Sequence, residues 1–204
     1  MSRIAAAILA AGTSSRLGTS KQLLELDGRP VLAHTLDAVL RADLEPVLVV
    51  LGHLQNQIQQ RLDFSGVTVI NNPDYATGQS SSVRAALREL PDDIDAVVFI
   101  LGDQPLVEPA VIDALTSARR QQGASIVQPR YAEGRGNPVL IGHELFTELN
   151  ELTGDMGARP VIEQHRDEVL LVDLARFHRP EDIDTREDFE RVQREHEARR
   201  NDKA

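Results

Sequence analysis

The chain has 204 residues and a formal net charge of −10. That length fits one domain with a sizeable core, and the lack of cysteine rules out disulfides, thiol nucleophiles and thiolate metal sites. The acidic balance argues against nucleic acid as a partner, no apolar run approaches the ~18 residues of a membrane span, and any anionic ligand must be met locally by backbone N–H groups, a few cations or a divalent metal.

In chain order, short apolar runs at residues 4–9, 47–51, 67–70, 96–101, 125–128 and 169–172 predict strands buried on both faces. The first run resembles a brief signal peptide, but the Gly, Ser and Arg behind it read as a functional loop. With the cysteine-free composition, the expectation is a cytoplasmic protein. Amphipathic stretches at 30–41, 80–90 and 109–121 predict helices. The first puts Val31, Leu32, Leu36, Val39 and Leu40 on one face, and Pro109 suits a first helical turn. Beyond about residue 130 the alternation weakens. Residues 134–141 read as an edge strand after a loop, and 154–165 as a loop followed by a helix. The expected organisation is one domain over 1–193 with a charged helical tail over 194–204. Alternating strands and helices predict an α/β sandwich of three layers around a mostly parallel mixed sheet. Ligands in such folds bind beyond the carboxyl ends of the strands.

The loop after the first strand reads AAGTSSRLGTSK, residues 10–21. Small residues let a ligand approach the backbone, Gly12 and Gly18 can take conformations closed to other residues, and successive N–H groups form a nest for phosphate oxygens. Arg16 and Lys21 add a planar fork and a point charge. The spacing is neither a Walker A loop nor GxGxxG. Of 22 basic residues only Lys21 and Lys203 are lysine, so a chain that otherwise uses Arg has a compact ammonium inside this loop. After the fourth strand comes GDQP, residues 102–105, where Asp103 is placed to hold a metal, or equally to serve as a turn residue before Pro105. The segment GQSSS, 78–82, opens a helix; its three hydroxyls suit an anion or a polar base edge, and equally a helix cap. Late in the chain, EDIDT (181–185) offers Asp182 or Asp184 as a second metal ligand, or Asp184 as an N-cap. The six histidines show no ligand spacing.

Taken together, LAAGTSSRLGTSK (9–21), GQSSSVR (78–84), GDQP (102–105), GNPVL (136–140), GDMGAR (154–159) and DIDT (182–185) resemble the MobA-like nucleotidyltransferases, of the nucleotide-diphospho-sugar transferase type with its Rossmann-like fold. Within the family the set looks closest to molybdenum cofactor cytidylyltransferases, which share the alanine at Ala11 where guanylyl-transferring relatives typically carry glycine. One departure is Arg186 where the late motif usually continues with proline. The resemblance implies Mg²⁺-dependent transfer of CMP from CTP to the molybdopterin-molybdenum cofactor, release of pyrophosphate, and delivery of the product to a molybdenum hydroxylase. It implies a nucleotide site at Leu9, Ala10, Ala11, Gly12, Thr13, Ser14, Ser15, Gly78, Ser80, Ser81 and Ser82, and catalytic roles for Lys21, Arg16 and Asp103. It further implies metal ligation by Asp103 and Asp184, with Asp182 the weaker match, and an acceptor pocket at Arg135, Asn137, Asp155 and Arg159. Two alternatives stand beside it: guanylyl or other nucleotidyl transfer to a different phosphorylated acceptor, and a non-catalytic nucleotide- or cofactor-binding chaperone.

Overall fold

The computed structural model describes residues 2–14 and 17–201. Its elements run β1 (Ile4–Ala10), β2 (Glu25–Leu26), β3 (Arg29–Pro30), α1 (Val31–Leu40), β4 (Val47–Leu51), α2 (Gln55–Arg61), β5 (Thr68–Asn71), α3 (Gln79–Arg88) and β6 (Ala96–Leu101). They continue with α4 (Pro109–Gln122), β7 (Ile126–Tyr131), β8 (Gly134–Arg135), β9 (Val139–Gly142), α5 (Phe146–Glu151), α6 (Arg159–Gln164), β10 (Val169–Asp173) and α7 (Arg186–Asn201). The main sheet has the order β10-β7-β9-β6-β1-β4-β5, with β8 pairing β7. The β2–β3 hairpin stands apart from it.

Alternate side chains of the central strands enter opposite cores, as the two-residue period of a strand requires. Ile4, Ala6 and Ile8 of β1 join Leu32, Leu36 and Val39 of α1 and Ile112 and Leu115 of α4. Ala5 and Ala7 join Val83, Ala86 and Leu87 of α3, Leu149 of α5 and Val161 of α6. This makes three layers around a mostly parallel sheet. Among the described residues no helix is long and apolar enough to cross a membrane.

Three expectations need correcting. The stretch read as an edge strand supplies β9, which lies between β6 and β7 and is antiparallel to both. Its residues 139–142 are all buried, so its apolar run reflects a central position. Leu40, expected on the buried face of α1, is the last residue of the helix and is 45% exposed. The helix over 186–201 passes the expected domain-to-tail boundary at residue 193 without a break. Val192 is fully buried with Leu26, Val31, Leu106 and Ile183, and Arg199 donates to Leu106 O at 3.0 Å and to Glu108 Oε1 at 3.1 Å. Two helices had no sequence signal. In α2 the segment QNQIQQR buries only Ile58, and α5 has only six residues, so neither builds an apolar period.

Candidate active site

β1 and β6 lie side by side in parallel, so their carboxyl ends deliver the first loop and Asp103 to one place. The approach is close. A Cβ on Gly102 would stand 2.7 Å from the Ala10 Cβ, while Gly102 N–H still reaches Leu9 O at 2.9 Å. Within the loop the left-handed backbone falls at Ser14 (φ 53°) and Gly18 (φ 67°), and not at Gly12 as the sequence suggested. Ser14 then works twice as a turn residue: its carbonyl accepts from Leu17 N–H at 3.0 Å and its Oγ accepts from Lys21 N–H at 3.0 Å. Below Lys21, buried Gln22 donates to Ala10 O at 2.9 Å and accepts from Ser20 Oγ at 2.8 Å. The lysine therefore rises from a short turn fastened on both sides.

The Lys21 ammonium meets Asp103 Oδ2 directly and Asp184 Oδ1 at 3.0 Å. Lys21 and Asp103 side chains are 14% and 12% exposed, Asp184 50%. Burial alone would depress the lysine's pKa, but the two carboxylates outweigh it and hold the pKa above 10.5, so the group stays charged. Asp184 is free for this contact because α7 is capped by its neighbour. Asp188 N–H donates to Thr185 Oγ1 at 3.2 Å, and Thr185 N–H donates to Asp188 Oδ2 at 2.7 Å, a reciprocal capping box. Asp182 is engaged elsewhere, accepting from Gln104 Nε2 at 2.7 Å. Burial first, then the charge of Asp103, raise its pKa above the usual carboxylate value.

These groups open on a cavity of about 950 Å³. Of the residues expected in the site, Leu9, Ala11, Gly12, Thr13, Ser14, Lys21, Gly78, Ser82, Asp103, Arg135, Asn137, Asp155, Arg159 and Asp184 line it, as does Asp182. Ser15 and Arg16 lie outside the described residues. Ala10, Ser80 and Ser81 are not in the lining. Ala10 is buried at the strand end. Ser80 is fully buried and its Oγ donates to Thr153 O at 3.3 Å. Ser81 Oγ donates to Gly78 O at 2.8 Å and accepts from Asn72 Nδ2 at 2.8 Å. Ser82 Oγ also accepts from Asn72 Nδ2 at 3.2 Å, so all three helix-opening hydroxyls bond within the protein.

The 153–157 loop and the start of α3 are pressed together. A Cβ on Gly78 would stand 2.4 Å from the Gly154 carbonyl carbon. Gly78 is the N-cap of α3 and has no side chain to cap with; Asp155 Oδ1 accepts from Gln79 N–H at 3.2 Å in its place. The lining also includes residues the sequence reading passed over, among them Gln22, Tyr75, Phe99, Val139 and Ile162. Their only signal was position: Phe99 sits on a strand already read as buried, Val139 on the stretch read as an edge strand, and Tyr75 follows β5 in a turn beside His53, with ring centroids 6.0 Å apart.

Comparison with known proteins places the chain in a family. The family model described as MobA-like NTP transferase domain matches residues 6–169. The crystal structure of Rv0371c from Mycobacterium tuberculosis H37Rv superposes with a TM-score of 0.84 at 32% identity, covering 95% of this chain and 98% of that one. A structure of Rv0371c in complex with manganese superposes at 0.80 and 29% identity, covering 95% and 98%. The 2-C-methyl-D-erythritol 4-phosphate cytidylyltransferase of Desulforamulus reducens is 35% identical over 134 residues, 61% of this chain and 56% of that protein. The bifunctional protein GlmU of Heliobacterium modesticaldum is 32% identical over 126 residues, 61% of this chain and only 27% of that protein. The chain thus spans roughly a quarter to a little over half of these two relatives. It belongs to the MobA-like NTP transferase domain family.

Proposed function

We propose that the protein transfers CMP from CTP to the molybdopterin-molybdenum cofactor, releasing pyrophosphate, with a divalent cation, Mg²⁺, at Asp103 and Asp184. The observation that carries the reading is the meeting of Lys21, Asp103 and Asp184 at the mouth of the cavity. Two carboxylates from distant parts of the chain converge on one positive group there, which is the charge environment a divalent cation needs. Among the described residues no group of three or more His, Asp or Glu builds a closed cage. Two carboxylates with room for phosphate oxygens and water match the preference of Mg²⁺. When bound, the cation would neutralise phosphate charge and template the two substrates.

The chain's own residues account for the rest. The backbone over 11–14 would cradle the triphosphate. Lys21 would lie along the α-phosphate, where charge grows during attack. The attacking group is the acceptor's terminal phosphate, already anionic, so it needs no strong base, and catalysis reduces to positioning and charge neutralisation. Its oxygen forms a bond to the α-phosphorus as the bond to the pyrophosphate oxygen breaks. Arg135, Asn137 and Arg159 would hold the acceptor, an Arg fork suiting its phosphate. Asp155, with one oxygen on α3, would shape this side rather than bind on it. CTP is favoured by Ala11 and by the cytidylyltransferase relative. The cytoplasmic setting and a molybdenum hydroxylase as recipient belong to the same proposal.

The test is pyrophosphate release from CTP, GTP, ATP and UTP with Mg²⁺, with and without molybdopterin. CTP-selective release that requires the pterin is the expected result. Selectivity for GTP would move the assignment to guanylyl transfer, and no release with any triphosphate would leave a binding module.

A further inference from the structure

Asp182 and Asp184 stand two residues apart, and both face the cavity, yet their partners differ. Asp184 Oδ1 accepts from Lys21 Nζ at 3.0 Å. Asp182 Oδ1 accepts from Gln104 Nε2 at 2.7 Å, and the same nitrogen reaches Pro180 O at 3.3 Å. Gln104 is 3% exposed and absent from the cavity lining, so it touches no ligand there. Between the two aspartates, Ile183 is fully buried and its N–H reaches Asp103 O at 3.3 Å. The late segment is therefore fastened at Pro180, Asp182 and Ile183 to the pair Asp103-Gln104. The amide's orientation is fixed by chemistry: the reverse would set Oε1 against a carbonyl and a carboxylate. As placed, Oε1 is buried with no partner among the described residues, a cost that the two bonds of Nε2 must outweigh.

We propose that Gln104 is a positioning residue: by gripping Asp182 it sets where the Asp184 carboxylate stands against Lys21, and so tunes uptake of the divalent cation. This rests on Asp184 being a cation ligand, as proposed above. The physical reason is the cost of an unpaired buried group. Without the amide, Asp182 and Pro180 O lose the donor that ties them to Gln104, and the segment relaxes outward. Asp184 is half exposed and held by Lys21 alone among the hydrogen bonds of its side chain in the described residues, so it moves with the segment. Asp182 is then a structural handle and Asp184 the working carboxylate.

Mn²⁺ titrated into the full chain with CTP, read by its electron paramagnetic resonance signal, tests this. Gln104→Ala is expected to weaken Mn²⁺ binding by about tenfold or more, the usual effect of removing a residue that orients a ligand. Gln104→Glu sets two carboxylates face to face and should do worse; adding Asp182→Asn restores a donor–acceptor pair at 182 and should recover part of the Mn²⁺ affinity, Pro180 O still facing a carboxylate oxygen. Wild-type Mn²⁺ binding in Gln104→Ala, or no recovery in the double variant, overturns the proposal. A metal-free measurement separates it from the cation reading. In urea unfolding, Gln104→Ala and Asp184→Ala should be non-additive, because one residue places the other, whereas additivity overturns the proposal. If the wild type with CTP takes up no Mn²⁺, the cation reading fails and this unfolding cycle alone decides the role of Gln104.

Discussion

Lys21 keeps its proton throughout the neutral range, because its folded pKa lies above 10.5 and its contribution to stability is lost only as pH rises through that folded value. A charged ammonium beside two carboxylates can serve a transition state in which phosphate charge builds. Lys21→Ala is therefore expected to lower kcat more than it raises the KM for nucleotide; steady-state kinetics showing a pure KM effect would restrict the lysine to ground-state binding. Asp103→Asn keeps the side chain's shape and an acceptor oxygen, but removes half of the carboxylate charge at the proposed cation site. Turnover should drop by on the order of 10³-fold with the fold intact by circular dichroism. Near-normal turnover at saturating Mg²⁺ would reject the metal role of Asp103.

Among the elements, the carboxyl end of α4 shows how one long side chain can close a helix. Arg119 donates to Gly123 O at 2.9 Å and Ala124 O at 2.8 Å, satisfying carbonyls past the helix end, and also grips Glu144 at 2.8 and 3.1 Å. Burial pushes the Glu144 carboxyl up, but the bonds from Arg119, its own backbone and Ser125 outweigh it and bring the pKa to about 2. A folded pKa below the unfolded one means the unfolded chain takes the proton first, so this stabilisation is complete above about pH 4.5 and fades as pH falls toward 2. Glu144→Gln should lower the urea midpoint by a similar amount at about pH 7 and pH 5, with the gap from wild type narrowing below about pH 4.5. A pH-independent gap would assign the effect to packing.

For the whole molecule, the decisive feature is the place of β9. Its reversed direction lets β7 and β10 extend the sheet in the same sense as β6, which brings the residues flanking β8 and β9 to the cavity. Leu140 is fully buried in this strand. Leu140→Ala should cost about 2–5 kcal/mol, the range for a core cavity, measured by denaturant unfolding. A loss under about 1 kcal/mol would fit an edge position instead. α7 closes the opposite flank, where Phe189 and Val192 pack on the β2–β3 hairpin and α1 through Leu26 and Val31. That packing anchors the segment carrying Asp184.

The sequence by itself determined the layers and most of the loops that line the cavity. Strands buried on both faces must be short apolar runs, and β1, β4 and β6 were legible as such almost to the residue; the glycine-rich loop, Asp103 and Lys21 were legible because parallel sheets put their working residues after strands. Only the tertiary structure decided which acid serves Lys21 and which is gripped by Gln104, since those partners lie 163 and 78 residues apart. It also decided that Ser80 and Ser81 bond within the protein, and that β9 is central. Local pattern records whether a side chain is buried, whereas these outcomes depend on which distant group fills the space beside it, and no periodicity carries that information.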